Sequence, residues 1–226
     1  MQIISYYKDK LMPILSDQLT SIRQLPYSEV RPTICSGDIL LASGSTPFAE
    51  LIKFATKSIW SHVAFILYVE NINRLMVLES VESVGVRTVP LSSYLDDYNG
   101  TGSAYPGHLV IARHSEIEQS KIINLSQFAI DLFGYPYATS DIIKIAARIS
   151  MSALGLTPPP QLATSPRAFI CSEYVYECFR SIGLDVCYNP NGYITPEDYA
   201  RCKYINPICR LAPLANQQEL PQLQPL

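Results

Sequence analysis

Three stretches of this 226-residue chain carry side chains able to do covalent chemistry. The first is Phe169-Ile170-Cys171-Ser172-Glu173-Tyr174-Val175, where a cysteine follows a Pro-rich segment and opens a predicted helix. Unsatisfied N–H groups and the positive end of the helix dipole favour a thiolate at such a position, and the same N–H groups suit an oxyanion. A plainer reading competes: Cys171, Val175, Cys178 and Ile182 share one apolar stripe, and Cys171 would then be only its first core residue. The second stretch is Ser61-His62 at the head of the apolar run Val63 to Val69. A thiol nucleophile needs a base within hydrogen-bond reach and a group to orient that base. His62 meets the first need if the strand reaches the cysteine helix, His108 is the next candidate, and His114 is expected to be solvated at a helix entrance.

The third stretch is the return strand with Glu79 and Glu82. A hairpin loop of two or four residues sets His62 on the face of Glu79, displaced by two to four positions. A three-residue loop instead puts Glu82 opposite His62 and turns Glu79 away. Spacing alone leaves both registers open, and an exposed strand-end charge is the commoner role for either glutamate.

The elements that must position these groups read as strands first and helices later. Ile39 to Ala42 is a short apolar strand opened by Gly37-Asp38 and closed by Ser43-Gly44-Ser45. Residues 46–57 form an amphipathic helix with Pro47 in its first turn. Strands follow at 61–69, 75–79, 85–89 and 108–113, with a Ser-rich helical turn at 91–98 and a Gly-rich loop at 99–107. Ser115 and Glu118 have capping-box spacing before a helix that ends at Gly134. Helices are expected at 140–154, 170–182 and from Thr195-Pro196, with the rigid Thr157-Pro158-Pro159-Pro160 loop between the first two. The Gly-rich loop and residues 155–166 are candidate lids. Strands joined by hairpins rather than by βαβ alternation indicate an α+β fold with a mostly antiparallel sheet. The expected division is an N-terminal arm (1–35), one domain (36–210) and a Pro/Gln-rich tail (211–226).

Composition excludes several classes. Charged residues make up 16% of the chain and hydrophobic ones 48%, too few and too many for a disordered chain. The formal net charge is −3 and the basic residues are scattered, so nucleic acid is not an expected partner. No apolar run approaches the roughly 20 residues of a transmembrane helix. The first residues do not read as a signal peptide, which leads to the expectation of a cytoplasmic protein. Six cysteines are expected to be free thiols, and the three histidines show no zinc spacing, so neither metal nor organic cofactor is expected.

Taken together, Ser-Gly-Asp-Ile-Leu-Leu (36–41), Ser61-His62-Val63, Leu78-Glu79-Ser80 with Gly85-Val86, Gly134-Tyr135-Pro136-Tyr137 and Ile170-Cys171-Ser172-Glu173 resemble the permuted papain-like hydrolases of the NlpC-type superfamily, specifically its YiiX/YaeF-like group. The likeness covers roughly residues 36–183. It implies a circularly permuted papain-like fold in which the histidine strand precedes the cysteine helix. It implies Cys171 as nucleophile, His62 as base and Glu79, better than Glu82, as the residue orienting the histidine. Gly37-Asp38 and Gly134 to Tyr137 are implied as supports. The implied activity is amide cleavage through a thioester, on a small peptide, a cell-wall peptide or another acylated substrate. A lipid-directed acyltransferase or esterase is the alternative, and a non-catalytic binding module with a degenerate site is a third. Ile170 departs from the group, where an aromatic is frequent before the cysteine.

Overall fold

In the computed structural model, which describes residues 16–139, 168–186 and 193–213 together with Lys144 and Met151, the β-branched runs assemble into one seven-stranded sheet. The strands are β1 (Gln24–Leu25), β2 (Ile39–Gly44), β3 (His62–Val69), β4 (Arg74–Val81), β5 (Gly85–Pro90), β6 (Gly107–His114) and β7 (Ile205–Leu211). Their spatial order is β1-β7-β6-β2-β3-β4-β5. Every adjacent pair is antiparallel except β1 with β7. The helices are α1 (Tyr27–Val30), α2 (Pro47–Thr56), α3 (Ser93–Asp96), α4 (Ile122–Asp131), α5 (Cys171–Ser181) and α6 (Pro196–Arg201). The expected α+β class with a mostly antiparallel sheet is the one observed. The expected helix at 140–154 except Lys144 and Met151, the Pro-rich loop 157–160 and Cys187 lie outside the described residues, as do residues 1–15 of the arm and 214–226 of the tail.

Pleating divides the core in two. On one face Leu41, Val63, Phe65, Leu78 and Val110 pack beneath α4 and α5, whose Leu125, Tyr174, Val175, Cys178 and Phe179 are all buried. On the other, Leu40, Ala42, Ala64, Ile66 and Val77 pack against Tyr94 and Leu95 of α3 and Tyr27 of α1. Alternation along β3 therefore gives His62 to the second face, although α5 covers the first. The two meet because His62 is the first residue of its strand, at the rim of the sheet, where α5 also begins.

The β3–β4 connection holds four residues, Glu70 to Asn73, between the paired Val69 and Arg74. Asn73 adopts φ 51°, a left-handed conformation that asparagine tolerates better than most residues. With Phe65 opposite Leu78, Glu79 falls on the face of His62, displaced by two positions. The register that would have set Glu82 opposite His62 is not formed.

Three sequence expectations differ from the structure. Strand β7 was not expected, because Pro207 interrupts its pattern; the ladder absorbs this missing donor at a register shift opposite Ile111 and Ala112. Ser115 does not cap a helix: residues 115–118 form the turn after β6, and a single 3₁₀ turn (Gln119–Lys121) leads into α4. His114 is not solvated. It is buried at the end of β6, stacked on Tyr204 with 5.7 Å between ring centroids, and its Nδ1 accepts from Glu116 N–H.

Candidate active site

The site is assembled at the rim from four segments. Helix α2 is started cleanly: Thr46 Oγ1 accepts from Ala49 N–H at 3.1 Å and Pro47 occupies the first turn. Its Phe48 and Ile52 pack on Tyr137, Ala138 and Ile170, which ties the helix to the residue before Cys171. Helix α5 begins without a side-chain acceptor at its N-cap, since Ile170 is aliphatic, while Glu173 Oε2 reaches back to accept from Ile170 N–H at 3.3 Å. The departure at Ile170 thus fills a hydrophobic contact with α2.

Several bonds fix where α5 starts. Ser80 Oγ of β4 donates to Phe169 C=O at 2.7 Å, and Phe169 N–H donates to Pro136 C=O at 3.1 Å. Ser172 Oγ donates to Ile194 C=O and Tyr199 OH of α6 donates to Ser172 C=O, both at 2.7 Å. The 134–137 segment is held in turn by β5, where Val86 exchanges hydrogen bonds with Tyr135 C=O and Gly134 N–H. Gly85 makes this approach possible: at φ 78° its position would carry a Cβ only 2.1 Å from Tyr135 C=O. The Gly85-Val86 and Gly134 to Tyr137 motifs are therefore two halves of one clamp.

His62, Glu79 and Cys171 are brought together. The His62 ring is 14% exposed and its Nε2–H donates to Glu79 Oε2 at 2.8 Å, leaving Nδ1 for the thiol. Glu79 is wholly buried, which is tolerable for a carboxylate only when it is well supplied with donors. It has three: besides His62, Arg87 Nε donates to Oε1 at 2.9 Å and Tyr94 OH to Oε2 at 2.5 Å. Burial alone would raise the Glu79 pKa, but these donors and the positive charges of His62 and Arg87 outweigh it and hold the carboxyl below its ordinary range. Burial alone would also lower the His62 pKa. Hydrogen bonds and charge interactions with Cys171 and Glu79 win there too and raise it to about 10. Tyr94, buried against that carboxylate, is pushed well above the usual tyrosine range and stays a donor.

Arg87 and Tyr94 escaped the sequence reading. Arg87 carried a usable signal, because β5 returns directly from β4 and places it across from Glu79 as an opposite charge. Tyr94 carried none, being one of 15 tyrosines and joined to Glu79 only through the packing of α3. Glu82, the alternative orienting residue, lies in the β4–β5 turn and is exposed, away from His62 Nε2. His108 is exposed at the start of β6, paired with Ser43 of β2. Asp38 is buried beneath β2, where it pairs with Arg113 and accepts from Cys35 N–H; it is a structural anchor.

A cleft of about 620 Å³ opens at His62. Phe48, Leu51 and Ile52 of α2 form an apolar wall, His62 and Tyr137 reach the floor, and Tyr98, Asn99 and Tyr105 of the 98–105 loop form another side. Cys171, 2% exposed, is not itself a wall; the cleft reaches it through His62 and Tyr137, whose ionisation it influences. Burial, aided by the charges of Cys171, Glu82 and Glu173, raises the Tyr137 pKa and keeps its hydroxyl protonated. Among the described residues no group of three or more His, Cys, Asp or Glu side chains is placed to hold a metal ion, and no helix is long and apolar enough to cross a membrane.

Compared with known families, residues 33–188 match the one described as permuted papain-like amidase enzyme, YaeF/YiiX, C92 family. The chain belongs to that family. It is accordingly a cysteine amidase or peptidase, with the permuted papain-like fold in which the histidine strand comes before the cysteine helix. Among solved structures it is similar to the crystal structure of the metalloprotein YiiX from Escherichia coli O157:H7, with a TM-score of 0.49 and 19% identity over 84% of this chain and 94% of that one. No curated protein matches the chain.

Proposed function

We propose that this YaeF/YiiX-family member hydrolyses an amide bond, peptide or N-acyl, with Cys171 as nucleophile, His62 as base and Glu79 as the residue that orients the imidazole. The observation that carries the reading is the fully buried Glu79 carboxylate bonded to His62 Nε2, on the opposite side of the ring from the nitrogen left for Cys171. A carboxylate so placed fixes the tautomer and stabilises the imidazolium.

His62 takes the thiol proton and the sulfur attacks the carbonyl carbon, forming a tetrahedral intermediate. The raised His62 pKa favours holding this proton on the imidazole. Backbone N–H at the start of α5 and the protonated Tyr137 hydroxyl are the donors available to the oxyanion. Collapse breaks the C–N bond, His62 gives its proton to the departing amine, and an acyl-Cys171 thioester remains. Water, deprotonated by His62, then releases the acid and regenerates the thiol. The apolar wall of Phe48, Leu51 and Ile52 also suits a lipid-like acyl group, for which the second step would be transfer to another acceptor.

The test is differential labelling. Iodoacetamide should alkylate Cys171 at least tenfold faster than the partly exposed Cys35, with the advantage lost in His62→Ala. Equal rates at Cys171 and Cys35 would refute the reading. Trapping the acyl-Cys171 species and comparing its release by water and by added amine or alcohol separates hydrolysis from transfer.

A further inference from the structure

Glu82 leaves one side of the cleft with unbalanced negative charge, while His62 on the floor is bonded to Glu79. Among the described residues that line the cleft, none is Lys or Arg, and Glu82 is the one carboxylate. The nearby cations are already committed: Lys53 pairs with Glu50 at 2.6 Å, while Arg87 is held by Glu79 and by Asn99 Oδ1 at 2.9 Å. Glu82 itself makes no ion pair or side-chain hydrogen bond among the described residues. Glu82 lines the same cleft as Tyr137, and its charge raises the pKa of the Tyr137 hydroxyl, as does that of Cys171. Four aromatic rings, Phe48, Tyr98, Tyr105 and Tyr137, face the same space. A carboxylate with free lone pairs beside several π-faces is an environment for a cation, and a poor one for an anion.

We infer that Glu82 selects substrates bearing an ammonium group near the scissile carbonyl, and that the cleft discriminates against a carboxylate at that place. This rests on Cys171 being the nucleophile. The substrate class is then an amide carrying a free amine, as in an amino-terminal residue or a lysine-type side chain, with its apolar portion against α2. The uncommitted Glu82 and the absence of Lys and Arg from the described lining carry the inference together, since the His62 imidazolium is already bonded to Glu79. A rim charge serving only solubility would not need the second.

The experiment uses three iodoacetamide derivatives of matched size, with N-substituents ending in ammonium, methyl and carboxylate, and reads second-order alkylation of Cys171 by peptide mass spectrometry with Cys35 as internal reference. In the wild type the ammonium reagent should react about three- to tenfold faster than the methyl one, the sum of a partly exposed ion pair and cation–π contact, and the carboxylate reagent slowest. Glu82→Gln should bring the ammonium-to-methyl ratio to within about twofold of unity. An unchanged ratio in Glu82→Gln, with labelling still dependent on His62, overturns the role of Glu82 and leaves the hydrolase reading standing. A Cys171 no more reactive than Cys35 towards all three reagents overturns the hydrolase reading, and this inference with it.

Discussion

Tyr94→Phe removes one oxygen from the most demanding part of the site. Tyr94 is completely buried in α3, its ring packed 4.9 Å from that of Tyr98 and 5.4 Å from that of Tyr105, so phenylalanine keeps the shape and the stacking. What is lost is the 2.5 Å hydrogen bond to Glu79 Oε2. A hydrogen bond to a charged group contributes about 1.5–3 kcal/mol, and the interior offers no water to replace it. Arg87 and His62 still hold the carboxylate, which keeps the loss within that range. For a chain of this size it corresponds to a fall in Tm of about 4–10 °C. The donor stabilises the anion, so its removal raises the Glu79 pKa and moves the acid limb of the labelling profile upward. Thermal unfolding at pH 7, followed by circular dichroism, and the pH profile of iodoacetamide labelling measure the two effects. A variant within about 0.5 kcal/mol of wild type, together with an unmoved acid limb, would show that Glu79 does not depend on Tyr94.

Other outcomes follow from the same contacts. Because the His62 pKa is raised from 6.5 to about 10, its contribution to stability is fully present below pH 6.5 and disappears as pH rises through 10; the gap between wild type and His62→Ala in urea unfolding should shrink across that interval. Glu79 works in the other direction, its contribution being present above its ordinary value of 4.5 and lost as pH falls through the lowered folded-state value. Cys171→Ser should abolish turnover and acyl-enzyme formation, yet change stability by no more than about 1 kcal/mol, since the two side chains are close in size; unfolding curves decide it. Gly85→Ala combines a φ of 78° with a Cβ 2.1 Å from Tyr135 C=O, and should cost at least about 2 kcal/mol while slowing Cys171 labelling as Tyr137 shifts.

Legibility in the sequence followed the range of the forces involved. Strands β2 to β6 and helices α2 and α5 were readable because local patterning dictates them: Val63 to Val69 alternates between two buried faces, and Thr46-Pro47 starts a helix whatever surrounds it. The pairing of His62 with Glu79 was half readable, since alternation limits it to two registers and only the four-residue loop selects one. Strand β7 was hidden by Pro207, whose cost is absorbed at an irregularity in β6 that a single segment cannot reveal. The burial of His114 depends on Tyr204, 90 residues away in sequence, and Tyr94 reaches Glu79 through tertiary packing alone. The candidate residues Cys171, His62 and Glu79 thus announced themselves by type and order; the side chains that hold Glu79 did not.

Strand β7 and helix α6 lie beyond residues 33–188, which match the family, yet the helix that carries Cys171 leans on them. Tyr199 holds the carbonyl of Ser172, the residue after Cys171, while β7 covers the edge of β6 and is itself flanked by β1 from the opposite part of the chain. A protein trimmed to the shared span would bare a full-length edge of β6 to any passing strand and release the first turn of α5. A fragment that keeps these supports therefore has to extend past the matched span on both sides, from Gln24 to Leu211.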